Sequence, residues 1–298
     1  MIHTLRTKCM GKRTVENQFF QRSFVFLLLL SLFSCKTTQL EKYSSLLSSD
    51  ELLPFSHEEI DWQNIDEGID FFTFSKKSGG ISYNIVRINL ENPALEIVTL
   101  KSKKTWQKSY SVKSFAKKNN AIVAINTSPF HIKDYILPWS KGIAIGLVVS
   151  EGKVLVEPNE NYAAIAFYRT EKDGFADGFW SAKIFDKQTD VFREEKLPEE
   201  ASGGFWTILR DGNICEFSNI KDVRSAVATG DSGRTLYLFA GKNLTYGECA
   251  VIFEKLGCEA AMQFDGGSST QLVVQDKNTI RHVIPRSVVA MIGFRLKS

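Results

Sequence analysis

The chain has 298 residues, of which 43% are hydrophobic and 24% are charged, a composition typical of a globular protein with a sizeable core. Its formal net charge is +3, but five Lys/Arg and one Glu lie in residues 1–35, and without them the counts fall from 37 and 34 to 32 positive and 33 negative side chains. Because this remainder is nearly neutral, the composition excludes an electrostatic nucleic-acid binder, and no nucleic-acid partner is expected.

The first 35 residues have the pattern of a secretory signal. Basic residues precede the apolar run FVFLLLLSLF at residues 24–33, and small residues follow it. Ten residues span about 15 Å as a helix, roughly half of a bilayer core, so this run is too short for a transmembrane helix. The sequence LFSC at residues 32–35 resembles the bacterial lipobox, although Phe33 is bulkier than that motif usually carries. It predicts that Cys35 is lipidated.

Other interpretations of this N-terminal segment are an ordinary cleaved signal or a buried strand, and Arg22 disfavours the strand. Translation starts at Met1 or at Met10, which gives a more usual signal length. Residues 36–60 are rich in Ser, Thr and Glu, which predicts a flexible tether. Residues 61–298 are expected to form one domain. A lipid anchor predicts a protein of the bacterial cell envelope, bound to the membrane and facing the periplasm or the exterior.

Strand patterns dominate the body. The sequence alternates at residues 81–90 and is strand-like at 94–100, and a continuous apolar strand over residues 121–126 ends at a polar turn. Three strand–turn–strand units are predicted at residues 143–155, 205–217 and 226–241. Residues 174–202 are polar and rich in Gly and charge, so we expect a loop or an insertion there.

Two segments carry helix patterns. Residues 111–120 place Val112, Phe115 and Ala116 on one face and end at an Asn pair. In GECAVIFEKLG, residues 247–257, apolar side chains recur at helical spacing and Gly257 stands where a helix C′ glycine belongs. Few helices and many hairpin-linked strands predict an α+β fold, a mixed and largely antiparallel sheet with a few packed helices.

The stretch QFDGGSST, residues 263–270, follows a short apolar strand. Gly266 and Gly267 permit a turn with positive φ or the close approach of a ligand. Three hydroxyls follow, Ser268, Ser269 and Thr270, and these suit the binding of a phosphate or a sugar. On its own, however, Asp-Gly-Gly is also an ordinary hairpin turn, so Asp265 has either a structural or a substrate-binding role.

Six segments in order resemble the catalytic domain of phosphodiester glycosidases, a family that includes the enzyme that uncovers mannose 6-phosphate. They are AINTSPF (124–130), IGLVVSEGKVL (145–155), FWTILRDGNI (205–214), RSAVATGDSGRTLYLF (224–239), LTYGECAVIFEKLGCEAAMQFDGGSSTQLVV (244–274) and PRSVVAMIGF (285–294). The resemblance runs from about residue 62 to the C-terminus. Two departures affect the expected pocket: the family's Asn-Gly-Gly turn is Asn126-Thr127-Ser128 here, and Arg224 lacks the glycine that usually follows.

The resemblance implies roles for particular residues. Arg224 and Arg286 are expected to grip the phosphate of a sugar-1-phosphodiester, because guanidinium forks match its oxygens; structural ion pairs are the alternative. Asp265 is expected to act as a base towards water or to stabilise positive charge at the anomeric carbon. No second carboxylate is obvious in the sequence, but a phosphate diester is already a good leaving group.

Asn126 is expected to orient a sugar hydroxyl or a phosphate oxygen, or alternatively to cap a turn. Gly266, Gly267, Ser268, Ser269 and Thr270 are expected to bind the substrate, and a nucleophilic role for Ser269 has little support.

The other chemistry-bearing residues have ordinary interpretations. His131 follows the Asn126 turn and either lines the pocket or lies on a surface loop. Cys215, Cys249 and Cys258 show no C-x-x-C spacing, which predicts free thiols. The sequence indicates no cofactor and no catalytic metal, and it leaves room for a divalent cation near Asp265.

The resulting hypothesis is a lipid-anchored envelope hydrolase that cleaves phosphodiester-linked sugars in a glycan or glycolipid. A non-catalytic glycan-binding lipoprotein on the same fold is the main alternative, motivated by the altered turn at Asn126. An envelope scaffold protein is a third. The sequence predicts neither the sugar nor the oligomeric state.

Overall fold

The computed structural model describes residues 48–133, 140–172, 175–215 and 220–297. The predicted signal with Cys35 and the first part of the tether lie outside these residues. The helices are α1 (Ser49–Leu52), α2 (Val112–Asn119) and α3 (Tyr246–Lys255). The strands are β1 (Gln63–Asp66), β2 (Ile69–Lys76), β3 (Ile81–Asn89), β4 (Leu95–Thr99), β5 (Gln107–Lys108), β6 (Val123–Asn126), β7 (Phe130–Ile132), β8 (Lys141–Ala144), β9 (Val148–Ser150), β10 (Lys153–Val156), β11 (Ala164–Lys172), β12 (Phe175–Phe185), β13 (Glu200–Gly203), β14 (Thr207–Arg210), β15 (Asn213–Ile214), β16 (Asp222–Gly230), β17 (Thr235–Leu244), β18 (Ala260–Gln263), β19 (Gln271–Val274), β20 (Lys277–Arg281) and β21 (Met291–Leu296).

The strands form four sheets among the described residues. The largest has the order β1-β2-β3-β17-β16-β18-β14-β15, two five-stranded sheets run β10-β9-β13-β11-β12 and β20-β19-β6-β21-β4, and a small sheet runs β5-β8-β7. The strand pairs are antiparallel throughout the part of the chain that the structure describes. The predicted α+β class, with mainly antiparallel sheets and few helices, is confirmed.

The main core lies where the three large sheets face one another. Val86, Val227 and Met262 come from the eight-stranded sheet and pack with Ile125 and Phe167 of the two five-stranded sheets. Each of these side chains is buried, and full burial of such a side chain contributes about 1.5–3 kcal/mol to folding. The core therefore fixes the ends of β6 and β18, where the candidate site lies.

Both predicted helices are present, with the expected ends. Helix α2 begins after Ser111, whose hydroxyl accepts a hydrogen bond from the Ser114 amide, and it ends at Asn120 in the left-handed conformation. Helix α3 begins with a capping box between Thr245 and Glu248, and Gly257 beyond its C-terminus has a φ of +74°. No helix in the described ranges has the length and apolar character needed to cross a membrane.

The loop or insertion predicted at residues 174–202 was wrong for much of that segment. It contains the eleven-residue strand β12, which pairs with β11, and the start of β13. Trp180 and Ala182 alternate with polar residues and face the core, and the Trp180 Nε1 donates to the Leu95 carbonyl at 2.8 Å. Gly178 occupies one of the core-facing positions of β12 and Phe179 lies on the other face, which hid this period of two in the sequence.

Part of the predicted tether packs on the body. Leu52 and Leu53 are fully buried, and the Tyr83 hydroxyl donates to the Leu52 carbonyl at 2.6 Å. Cys249 and Cys258 are buried free thiols, as expected, whereas the free thiol of Cys215 is half-buried.

Candidate functional site

The turn after β18 connects two different sheets. Strand β18 belongs to the eight-stranded sheet, and β19, which follows the turn, pairs with β6 in a five-stranded sheet. A 3-10 turn at Gly267–Ser269 makes the crossing. Because β18 and β19 do not pair, the hairpin interpretation of Asp-Gly-Gly is wrong, and Asp265 lies at the junction between two sheets.

The two glycines of this turn have different roles. Gly267 has a φ of +56°, which disfavours other residues. Gly266 is extended, but a Cβ there would lie 3.0 Å from the Val223 carbonyl oxygen of the neighbouring strand. Both glycines therefore allow the chain to turn tightly against the protein's own backbone. Ser268 and Thr270 belong to the same framework, since the Ser268 carbonyl accepts from the Arg286 amide and the Thr270 hydroxyl donates to Val223.

Asn126 holds the turn in place from the end of β6. Its Nδ2 donates to the Asp265 carbonyl at 2.6 Å, and its Oδ1 accepts from the Gln271 amide at 3.0 Å. The Asp265 amide in turn donates to the Thr127 carbonyl at 2.9 Å. Asn126 is 1% exposed, so the structure places it beside Asp265 as a clamp on the backbone of the turn.

The carboxyl group of Asp265 is buried and only partly compensated. Asp265 is 8% exposed, and its Oδ2 accepts no hydrogen bond from any residue that the structure describes. Burial raises the pKa of Asp265 to about 6, against the opposing effects of a hydrogen bond from Ser269 and the positive charge of Arg286. A carboxyl group with this pKa changes its protonation state near neutral pH, as an acid–base catalyst must.

Arg286 lies beside this carboxyl group. Its Nη2 is 3.7 Å from the Asp265 Oδ2, and its Nε donates to the Ser269 hydroxyl at 3.0 Å. Because Ser269 accepts from Arg286, its own proton remains available for Asp265. The guanidinium also packs over the Phe130 ring, 4.7 Å from the ring centre. Arg286 is half-buried, and Nε is the guanidinium nitrogen that donates to a described residue, so its outer nitrogens can receive an anion.

Arg224 has a different environment. It is 6% exposed, its Nε donates to the Leu244 carbonyl at 2.9 Å, and its Nη2 donates to the Ile220 carbonyl. The guanidinium packs on Tyr246, 4.0 Å from the ring centre. Arg224 lies next to the Asp265 turn in the sheet, but its Nε and Nη2 donate to the protein's own backbone. Of the two arginines, the structure therefore brings Arg286 within ion-pair distance of the Asp265 carboxyl group.

The altered turn at Asn126-Thr127-Ser128 is buried. The Ser128 hydroxyl donates to the Gly203 carbonyl at 3.0 Å, and Thr127 is fully buried. Close approach of a ligand to this backbone is thus blocked by side chains that pack inside the protein. His131, on β7, is exposed on the surface, in agreement with the second of its two interpretations.

Two polar residues around the site, Gln263 and Asp222, were not predicted from the sequence. Gln263, the last residue of β18, lies two residues before Asp265, and its fully buried side chain lies beside the Cys249 thiol. A carboxylate oxygen of Asp222 lies 3.5 Å from the point that a Gly267 Cβ would occupy. The strand period of two, applied backwards from Asp265 and Arg224, would have identified both.

An aromatic surface continues from the site. Trp206 is 44% exposed and stacks on Phe205 with 5.0 Å between ring centres, and it meets Tyr246 at 5.8 Å. The Phe205 amide donates to the Gln263 carbonyl at 2.7 Å, which ties this surface to the strand of Asp265. Exposed aromatic faces of this kind suit the apolar face of a sugar ring.

Metal ligation has no evident candidate in the described ranges. Among those residues, no group of three or more His, Cys, Asp or Glu side chains is arranged to hold a metal ion.

Comparison with known proteins adds a family and a fold. Residues 119–295 match the family described as phosphodiester glycosidase. A hypothetical protein from Synechocystis superposes with a TM-score of 0.61 at 18% identity, over 80% of this chain and 64% of that protein. The catalytic domain of zebrafish N-acetylglucosamine-1-phosphodiester alpha-N-acetylglucosaminidase, auto-inhibited by its pro-peptide, superposes with a TM-score of 0.57 at 16% identity, over 79% of this chain and 85% of that one. These likenesses show the fold alone, and a search of curated proteins finds no match.

Proposed function

The chain belongs to the phosphodiester glycosidase family, since the family match spans residues 119–295, and from this premise we propose that it hydrolyses a sugar-1-phosphodiester bond in an envelope or extracellular glycan or glycolipid. The observation that carries the proposal is the pairing of the buried Asp265 carboxyl group with the Arg286 guanidinium at 3.7 Å. One group can exchange a proton near neutral pH, and the other can bind an anion.

The two groups divide the reaction between them. In the proposed step, Arg286 binds a phosphate oxygen with its outer nitrogens, and ionised Asp265 accepts a proton from the attacking water. The water oxygen bonds to the anomeric carbon, and the bond from that carbon to the phosphate oxygen breaks. The products are the free sugar and a phosphate monoester, which leaves with the electron pair of the broken bond. Asp265 also stabilises the positive charge that develops at the anomeric carbon.

The aromatic surface and Phe130 support a sugar beside the phosphate. The exposed ring of Trp206 offers an apolar face to a sugar ring, whereas the Gln263 side chain is fully buried beside the Cys249 thiol. Phe130 holds the Arg286 guanidinium from one side, so that its fork is presented in one orientation.

The test compares three forms of the purified protein on N-acetylglucosamine-1-phosphodiesters and other glycosyl-1-phosphodiesters, with and without divalent cations. We expect the wild type to release sugar, and Asp265→Ala to lose at least about a thousandfold in kcat/KM. Glu200→Gln is the matched control, because Glu200 is also a buried carboxyl group with a raised pKa, but it begins β13 and accepts from the Glu151 amide. Full activity of Asp265→Ala in a folded protein would remove Asp265 from the mechanism.

Glycan binding without turnover is the second candidate function. It is favoured by one observation: two of the three residues expected to be catalytic, Arg224 and Asn126, use their polar atoms on the protein backbone. Tight binding of a glycosyl phosphodiester by the wild type, with no sugar release across the panel, would support this function over hydrolysis.

We also propose the envelope as the location, on the basis of the apolar run and the LFSC sequence that ends at Cys35. Mass spectrometry of the protein from a bacterial membrane fraction tests this. A lipid-modified N-terminal Cys35 is the expected result, and unmodified Cys35 in a soluble fraction contradicts it.

A further inference from the structure

A groove of about 570 Å³ lies between residues 99–110 and helix α2. Among the described residues its lining contains no Asp or Glu, and five lysines line it, namely Lys101, Lys103, Lys108, Lys118 and Lys141. Within the part of the chain that the structure describes, Lys101 pairs with Glu151 at 2.8 Å, and the other four form no ion pair. In a chain whose folded part carries nearly equal numbers of positive and negative side chains, this groove is a concentrated positive region.

Exposed aromatic rings accompany the lysines. Trp106 is 46% exposed and Tyr110 is 39% exposed, and both line the groove. The Lys108 Nζ lies 5.8 Å from the centre of the Tyr110 ring. Ammonium groups attract acidic groups, and aromatic faces pack against the apolar faces of sugar rings. This combination of lysines and aromatic rings matches a ligand that carries both acidic groups and sugar rings.

The groove is connected to the elements that carry the candidate site. Tyr110 and Val288 exchange backbone hydrogen bonds of 2.9 and 2.8 Å, and Val288 lies two residues after Arg286. Strand β5 in the groove wall pairs with β8, and β8 pairs with β7, which begins at Phe130. Two strand spacings amount to about 10 Å, so the groove wall is a near neighbour of β7, whose Phe130 packs against the Arg286 guanidinium.

We propose that this groove binds a polyanionic glycan, a chain of sugars that carries phosphate or other acidic groups, and that it holds this polymer close to Asp265. The identification of the bound polymer as the substrate rests on the proposed hydrolysis, whereas the binding itself does not. Charge alone would also suit a nucleic acid or an anionic membrane. The concave shape and the two exposed rings favour a glycan over both.

The test uses phosphomannan as the probe and dephosphorylated mannan of the same length as the neutral comparison. The groove variant combines Lys108→Gln, Lys118→Gln and Lys141→Gln. The matched control variant makes the same charge change at exposed lysines outside the groove, Lys113→Gln, Lys153→Gln and Lys277→Gln. Calorimetry at low salt should show phosphomannan binding to the wild type at least tenfold more tightly than to the groove variant. The control variant should stay within about twofold of the wild type.

Further measurements separate this inference from the proposed hydrolysis. The groove variant should cleave a small glycosyl-1-phosphodiester at the wild-type rate, because its substitutions do not touch Asp265 or Arg286. If the protein binds phosphomannan but does not cleave the small substrate, the proposed hydrolysis is contradicted and the proposed glycan binding by the groove is retained. If the groove variant and the control variant melt at the wild-type temperature and bind phosphomannan with equal affinity, the proposed binding of a glycan by the groove is contradicted.

The choice of a glycan has its own test. Trp106→Ala should weaken phosphomannan binding several-fold without changing its salt dependence, since it removes a ring and no charge. Duplex DNA or phosphatidylglycerol vesicles that bind the groove more tightly than phosphomannan, with Trp106→Ala unchanged, would overturn the glycan assignment.

Discussion

Two arginines that look alike in sequence occupy opposite environments in this protein. Arg286 is half-buried, donates to Ser269 and lies 3.7 Å from the Asp265 carboxyl group. Arg224 is buried, donates to two backbone carbonyls and packs on Tyr246. Of the two guanidinium groups, the one placed beside the Asp265 carboxyl group is therefore that of Arg286.

The two environments also differ in what their loss would do. Loss of Arg224 would leave a buried backbone carbonyl without its donor, so we expect the stability of the fold to fall. Loss of Arg286 would remove a partly solvated guanidinium from beside the Asp265 carboxyl group, whose Oδ2 accepts no hydrogen bond from the described residues, so we expect the catalytic chemistry to suffer. We expect Arg286 to affect activity and Arg224 to affect stability.

The largest expected effect is that of Arg286→Gln on catalysis. Loss of the phosphate-binding fork should lower kcat/KM for a glycosyl-1-phosphodiester by about 10²–10³, which corresponds to roughly 3–4 kcal/mol of transition-state stabilisation. The free energy of unfolding should change by less than about 1 kcal/mol, because the side chain is partly exposed. Arg281→Gln, at an exposed position on β20, is the control. A stable Arg286→Gln protein with wild-type kinetics would break the comparison.

Asp265→Asn should stabilise the fold as it abolishes activity. Burial raises the pKa of Asp265 to about 6 in the folded state, from 3.8 in the unfolded chain. Ionisation of Asp265 therefore does not lower the free energy of unfolding below pH 3.8, and it lowers this free energy progressively as the pH rises from 3.8 to 6. Above pH 6 the cost levels off at about 3 kcal/mol, and the Asn variant does not incur it. Urea unfolding of the wild type and the Asn variant at pH 3.5 and pH 7.5 measures how the stability difference between them changes with pH. The stability difference between Asn variant and wild type should be larger at pH 7.5, and a larger difference at pH 3.5 would contradict the raised pKa.

Arg224→Gln should destabilise the protein by about 2 kcal/mol. It leaves the Leu244 carbonyl without its donor at the junction of β17 and α3, and it removes the contact with Tyr246. Activity per folded molecule should stay within a few-fold of the wild type. Thermal unfolding and single-temperature kinetics on the same sample measure both quantities. A large loss of kcat/KM with unchanged stability would return Arg224 to the phosphate-binding role first expected of it.

How far the sequence could predict these environments depends on the range of the interactions. Helix α3 and its Gly257 end are set by neighbouring residues, and so are the Asp-Gly turn at Asp211 and the hairpin turn at Glu151; all were predicted. The partners of Arg224 are also near in sequence, but they depend on where β17 ends. No local pattern shows that an arginine will bond to a carbonyl twenty residues away.

The turn at Asp265 illustrates the same limit. Its composition fits a hairpin, and what excludes a hairpin is the pairing of β19 with β6, about 145 residues earlier in the chain. Asn126 and Asp265 were predicted as site residues from the family resemblance, yet the clamp between the Asn126 amide and the Asp265 carbonyl appears only in three dimensions. The position of Gln263 near Asp265 could have been predicted from the sequence, because the two residues are two positions apart at the end of β18.

The smallest expected effect is that of Ser269→Ala. This variant tests most directly whether Ser269 couples Arg286 to Asp265. The Ser269 hydroxyl accepts from the Arg286 Nε, and its hydrogen bond to Asp265 lowers the pKa of that carboxyl group. Its removal should raise the pKa of Asp265 further above 6, so the acidic limb of kcat/KM should move to higher pH. The loss should be several-fold at pH 5.5 and smaller at pH 8, where Asp265 is ionised in both proteins.

A matched control distinguishes this shift from a packing defect. Ser225→Ala removes a buried hydroxyl that has no hydrogen-bond partner among the described residues, close to the same turn. It should leave the acidic limb where the wild type has it, because it touches neither Asp265 nor Arg286. If Ser269→Ala lowers activity equally at all pH values, the hydroxyl only positions Arg286. If the limb moves with Ser269→Ala and not with Ser225→Ala, Ser269 links the Arg286 guanidinium to the protonation of Asp265, a link for which Arg224 has no counterpart among the described residues.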